Sequence, residues 1–132
     1  GAYQPEHNIV LKIESNLPPL YADKIQIKQV VVNLIQNAIQ SSDSDDLQIN
    51  IDLKSDDDNV ILEIIDNGPG ISLEYLQKIF EPYFTTRRKG TGLGLPIVKR
   101  IVENHRGNIM LSSVTGQGTT VTITLPIIEN ER

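Results

Sequence analysis

Cysteine and tryptophan are absent from this chain, phenylalanine occurs twice and methionine once. Without cysteine, neither a disulfide nor a thiolate metal site can hold the fold, and a reducing compartment suits it. No apolar run approaches the ~20 residues that a membrane-spanning helix needs. Lysine and arginine number 12 against 17 aspartates and glutamates, so the formal net charge is -5, which argues against generic nucleic-acid binding. Internal repeats and low-complexity tracts are lacking too. What is present is globular in composition: 132 residues, 39% of them hydrophobic, enough for one domain with a real core and not comfortably for two.

The charge is unevenly placed. Asp43, Asp45 and Asp46 form one acidic cluster and Asp56, Asp57 and Asp58 another, while Arg87, Arg88 and Lys89 make the one dense basic run. Each acidic cluster falls between regular segments and reads as a solvated turn. Asn8–Glu14, Leu47–Lys54, Asn59–Ile65, Asn108–Val114 and Thr119–Leu125 read as strands, the last alternating cleanly as "TTVTITL". Lys24–Gln40 reads as a helix with Asp23 as N-cap and Gln26 completing a capping box; Ile27, Val31, Leu34, Ile35 and Ala38 are its expected core face. Ser72 is placed to cap a short helix through Ile79, and Leu95–His105 carries one apolar stripe, with Pro96 tolerated in its first turn. Helices interleaved with hairpins imply an α+β domain: a two-layer sandwich with a mixed, mostly antiparallel sheet and helices on one face. Strict βαβ alternation is missing, which excludes a doubly wound fold.

Three stretches carry chemistry. Gln29, Asn33, Gln36, Asn37 and Gln40 fall on one arc about 100° wide, opposite the expected core face, with carboxamides where Lys and Glu are usual. A carboxamide oxygen can ligate Mg²⁺ without adding negative charge, which matters when phosphates supply the other ligands. On the helix alone, a neutral solvated stripe fits as well. In "EIIDNGPGI", Asp66 ends an apolar strand, and Gly68, Pro69 and Gly70 force a tight turn. A carboxylate there can accept from an exocyclic amine, and glycines let a flat base approach the backbone, although Asp-Asn-Gly is also an ordinary turn. "GTGLGL" is neither the dinucleotide fingerprint nor a P-loop. It is a glycine loop entering a helix, where free N–H groups favour anions, with the basic run beside it; a plain surface loop remains open.

Together these pieces resemble the catalytic, ATP-binding domain of sensor histidine kinases, in the GHKL group that includes gyrase, a heat-shock chaperone and mismatch-repair ATPases. The resemblance runs from Asn8 to Pro126, with five motifs in the family's order: "NLIQNAI", "DNGPGI", "IFEPYF", "GTGLGL" and "GQGTTVTITLP". The string around "EPYFTTRRKGTGLGLPIVKRIVE" looks closest to nitrogen-regulation-type kinases.

The resemblance implies a Bergerat ATP-binding fold and roles for particular residues. Asn37 would ligate Mg²⁺ and Asn33 would stand one turn earlier on the phosphate side. Asp66 would accept from the adenine amine, with Gly68, Gly70 and Ile71 shaping that pocket and Thr119 beside the base. Phe80 and Phe84 belong to the third motif, Phe84 packing under a lid. Arg87 would touch the terminal phosphates. Gly90, Thr91, Gly92, Leu93, Gly94 and Leu95 would form the phosphate-side loop. Asn33, Asn37 and Arg87 are thereby the expected catalytic residues, and ATP and Mg²⁺ the expected cofactors.

Three positions depart from the pattern. ATP-hydrolysing cousins carry a water-activating Glu where this chain has Asn33, which favours phosphotransfer over hydrolysis. Gln40 replaces a basic residue, and Arg106 stands where glycine is usual, with a structural effect expected. The only histidines are His7 and His105. Neither has a phosphoacceptor setting, and His105 suits a helix C-terminus, where a cation meets the dipole favourably.

The expected organisation is residues 1–7 as a cloning remnant or linker from a helical dimerisation and phosphoacceptor domain, 8–128 as the catalytic domain and 129–132 as a tail. The expected partners are that helical domain and, downstream, a response regulator; the isolated domain is expected to be monomeric, cytoplasmic and without nucleic acid. A GHKL ATPase driving a conformational change is the alternative, and a non-catalytic nucleotide-binding module a third reading.

Overall fold

The computed structural model describes residues 8–42, 45–81 and 94–127. One five-stranded sheet runs in the order β1-β2-β3-β5-β4, from β1 (Asn8–Ile13), β2 (Gln48–Ser55), β3 (Asn59–Asp66), β4 (Asn108–Val114) and β5 (Gly118–Pro126). β1 pairs parallel to β2, and every other pairing is antiparallel. The sheet is therefore mixed and mostly antiparallel, as expected. Helices α1 (Lys24–Gln40) and α3 (Gly94–Asn104) both contribute to the core over one of its faces. The short α2 (Leu73–Leu76) stops before Ile79, with Ser72 accepting from Tyr75 N–H as its cap.

Period-two alternation sets the inward face. Leu53, Leu62, Ile123 and Ile109 lie side by side across the sheet, as do Ile51, Ile64, Val121 and Leu111. Against these rows α1 buries Val30, Leu34 and Ala38, and α3 buries Val98, Ile101 and Val102. The α1 face differs from the expected one. Val30 is at its centre, Ile27 and Ile35 pack at its margin, and Val31 is half-buried. Apolar side chains cover so much of this helix that spacing alone leaves the buried arc loose by one residue.

The helix ends are specified in detail. Asp23 Oδ1 accepts from the N–H groups of Ile25 and Gln26, at 2.9 and 3.1 Å, capping α1. The other half of a capping box is taken over: Asp23 N–H donates to Nε2 of His105, 3.1 Å away. Because Nε2 accepts, the proton sits on Nδ1, 2.9 Å from Ile101 O. His105 thus ties the end of α3 to the start of α1 through both ring nitrogens. Beyond it, Arg106 has φ 63°, and the N–H groups of Arg106 and Gly107 reach back to Glu103 O and Val102 O. This is a Schellman termination, with arginine in the left-handed position that favours glycine.

Candidate functional site

The inward rows change character at one end of the sheet. After Val60, Leu62 and Ile64, the next inward residue of β3 is Asp66; it lies opposite Ile49 on one side and Thr119 on the other, and Thr119 lies opposite Ser113. The last row is therefore Ile49, Asp66, Thr119 and Ser113, three polar side chains on a face that is otherwise apolar.

These groups are held by backbone. Gly68 N–H donates to Asp66 Oδ1 at 2.8 Å, and Thr119 N–H also donates to the carboxylate. Burial pushes the Asp66 carboxyl above its ordinary value of 3.8, and the two N–H groups hold it partly back. Ser113 Oγ accepts from Ile71 N–H at 2.6 Å, donates to Gly118 O at 3.0 Å and lies 2.9 Å from Thr119 Oγ1. Gly116 N–H donates to Pro69 O at 2.7 Å, laying the turn after Asp66 across the β4–β5 hairpin. Gly70 (φ +79°) and Gly118 (φ +136°) make this contact possible: a Cβ would overlap Val114 O at the first and Asp66 O at the second. Asn67 belongs to the scaffold instead. Its Oδ1 accepts from Gln48 N–H at 2.7 Å and its Nδ2 donates to Asp46 O at 3.1 Å, securing the loop before β2.

Helix α1 supplies the facing wall. Asn37 borders the cleft beside Leu34 and Ala38, and Ser41, one turn on, donates to Ala38 O at 2.8 Å. Gly94 begins α3 against the Asn37 carboxamide, where a Cβ would lie 3.4 Å from Oδ1. The amide arc flanks the buried face rather than opposing it, because Val30 moves the core direction toward the amides. It also divides by type: Asn33 and Asn37 are half-buried, whereas Gln29, Gln36 and Gln40 are exposed.

Asn37, Asp66, Gly70, Ile71, Leu95 and Thr119 thus border one cleft of ≈ 310 Å³, with Gly68 and Gly94 touching its polar groups. Asn33 lies one turn away and does not line it. Phe84, Arg87, Gly90, Thr91, Gly92 and Leu93 lie outside the described residues. The cleft's polar wall also contains Ser41, and behind it Ser113, neither of which the motifs indicated. Ser113 was nonetheless readable: it continues Ile109 and Leu111 at period two and faces Thr119 across the hairpin.

A second cavity of ≈ 320 Å³ sits over the opposite end of the inward face, between Leu17, Leu20 and Val31 and the sheet residues Leu53, Val60 and Leu125. It is lined by apolar residues. Volume does not distinguish the two; the directed polar groups of the first do.

Comparison with known proteins decides the family. The family model described as histidine kinase-, DNA gyrase B-, and HSP90-like ATPase matches residues 22–129. The chain belongs to this ATPase family. It is 39% identical over 121 residues to Sporulation kinase E of Bacillus subtilis (strain 168), covering 91% of this chain and 16% of that protein. It superimposes on the nucleotide-free catalytic domain of histidine kinase ThkA with a TM-score of 0.81 and 32% identity, covering 92% of this chain and 80% of that one. Full-length ShkA, solved in complex with AMPPNP, superimposes with a TM-score of 0.82 at 26% identity over 94% of this chain and 26% of that chain. The chain is thus an ATP-binding catalytic domain of the sensor histidine kinase type, and it spans about a sixth of the length of Sporulation kinase E. No helix among the described residues of this kinase domain is long and apolar enough to cross a membrane.

Proposed function

We propose that the cleft binds Mg²⁺-ATP and supplies its γ-phosphate to a histidine on a separate helical dimerisation domain of the same kinase, from which a response regulator would draw it. The observation that carries this reading is the convergence of Asn37, Asp66, Thr119 and the Gly94 helix start on one cleft at the polar end of the core. Adenine would enter between the Asp66 turn and Thr119, its amine donating to the carboxylate. That places the phosphates toward Asn37, Asn33 and the start of α3, whose N–H groups favour an anion.

The residues present fit a divalent cation shared with phosphate oxygens. Among the described residues no group of His, Cys, Asp and Glu could hold a metal by itself. Asn37 instead offers a neutral carboxamide packed against Gly94, as a hard cation already balanced by phosphate requires. When bound, Mg²⁺ would neutralise charge on the phosphates during transfer. Asn37 would hold it, Asn33 would stand beside the phosphates, and Arg87 would close over them. Asn33 cannot act as a base, so the chain's own contribution is alignment and charge neutralisation, and water is left unactivated. This favours transfer over the alternative of hydrolysis driving a conformational change.

Titration with a non-hydrolysable ATP analogue, with and without Mg²⁺, tests the binding step; absence of binding in both conditions sinks it. Mixing the chain with its candidate helical partner and labelled ATP tests transfer. Label on a histidine supports the kinase reading, and release of phosphate without labelling supports hydrolysis.

A further inference from the structure

The hydroxyl of Ser113 is not in a motif and does not border the cleft, yet it joins two segments that do, the turn after β3 and the start of β5. It accepts from Ile71 N–H at 2.6 Å, it donates to Gly118 O at 3.0 Å, and Thr119 Oγ1 lies 2.9 Å away. A serine hydroxyl has one hydrogen and two lone pairs. Gly118 O can only accept, so it takes the Ser113 hydrogen. Ile71 N–H can only donate, so it takes one lone pair. The remaining lone pair faces Thr119, whose hydroxyl must then donate to Ser113. This is the one arrangement in which every hydrogen of the cluster has a partner.

We propose that Ser113 is a positioning residue that fixes the Thr119 hydroxyl as a hydrogen-bond acceptor toward the ligand, and that this makes the base end of the cleft selective for a 6-amino over a 6-oxo purine. With its hydrogen committed to Ser113, Thr119 Oγ1 presents lone pairs to the cleft beside the Asp66 carboxylate. The carboxylate, already accepting from the N–H groups of Gly68 and Thr119, can only accept further. The wall therefore holds two acceptors and no free donor from this pair. At position 6 an amino group meets them with hydrogens, whereas a carbonyl oxygen meets them with lone pairs, leaving acceptors opposed. A threonine hydroxyl free to rotate would lose this discrimination, because it could turn its hydrogen toward a 6-oxo group.

The inference rests on the adenine-nucleotide reading of the cleft and is tested apart from it. Affinities for ATP and for ITP are measured on the 132-residue chain, on Ser113→Ala, Ser113→Thr and Thr119→Val, with circular dichroism confirming the fold. In Ser113→Ala the ATP-to-ITP affinity ratio should fall by about tenfold, roughly the worth of one directed hydrogen bond. Ser113→Thr keeps the hydroxyl and should keep the ratio. Thr119→Val, which removes the acceptor itself and leaves Ser113 in place, should narrow the ratio as Ser113→Ala does. A merely structural serine would weaken both nucleotides alike and leave the ratio unchanged, and an unchanged ratio in either the alanine or the valine variant overturns the proposal while leaving ATP binding intact. If the parent chain binds neither nucleotide, the adenine reading falls and this inference with it.

Discussion

The two ends of the inward sheet face are built alike and end differently. At one end Val60 and Leu125 close the row and the space beneath α1 is apolar; at the other, Asp66, Thr119 and Ser113 take the same inward positions. Both ends leave cavities of similar size, ≈ 320 and ≈ 310 Å³. The first is lined by apolar side chains. The second differs in that its polar groups are tied in fixed directions by backbone N–H groups and by glycines that allow the turns to touch. The polar groups arise where one row of the core is exchanged for Asp66, Thr119 and Ser113.

Substitutions should separate the two ends. The largest effect is expected at the polar end's backbone. Gly118→Val would drive a side chain into Asp66 O from a φ of +136°, lowering unfolding stability by about 4 kcal/mol or preventing folding. Urea denaturation measures it, and a loss below about 1 kcal/mol would show that the hairpin can retreat from Asp66. Next, Asp66→Asn should reduce ATP affinity by about a hundredfold, the worth of a charge-assisted hydrogen bond, while the protein stays folded; calorimetric titration decides. At the apolar end the pattern inverts. Leu20→Ala should cost about 2 kcal/mol of stability and leave the ATP dissociation constant unchanged, and a weakened affinity would mean that the two ends are coupled.

Smaller effects sharpen the contrast. Arg106→Gly relieves a left-handed residue, φ 63°, and should raise stability by about 1 kcal/mol without touching nucleotide binding; thermal unfolding is the measure. The smallest is a pH effect at Asp66. Its carboxyl lies above 3.8 in the folded chain, so the folded state holds the proton more tightly than the unfolded state. The stability it contributes is complete below 3.8 and is lost as pH rises through the raised value. Relative to the parent, Asp66→Asn should therefore gain stability as pH rises across that window, in melting curves taken from acid to neutral; a gap that is flat or shrinks with pH contradicts the burial argument.

Much of this contrast could be read from the residues. Clean alternation located the strands of the central sheet, because one face is buried and a slip of one residue would expose the whole row. The α3 stripe was equally clear, since its apolar residues fall on one side only. The α1 face was less so: Ile25 is 80% exposed and Val32 40% exposed, so apolar identity there does not mean burial. Placing the amides opposite the core followed from that ambiguity, and Val30 corrected it. Asp66, Asn37 and Thr119 were legible from their motifs and do meet in one cleft. Ser113 was not, because its importance lies in what it bonds across two turns, which no motif spacing expresses. The Asp23–His105 bond escaped for the same reason: its partners are 82 residues apart.

That bond has a mechanical consequence. It joins the start of α1 to the end of α3, so the two helices are pinned at the ends remote from the cleft. Their opposite ends, with Asn37 on one and Gly94 on the other, meet at the cleft. One bond between residues 82 apart in the chain thereby holds together the ends of α1 and α3 that lie farthest from the cleft.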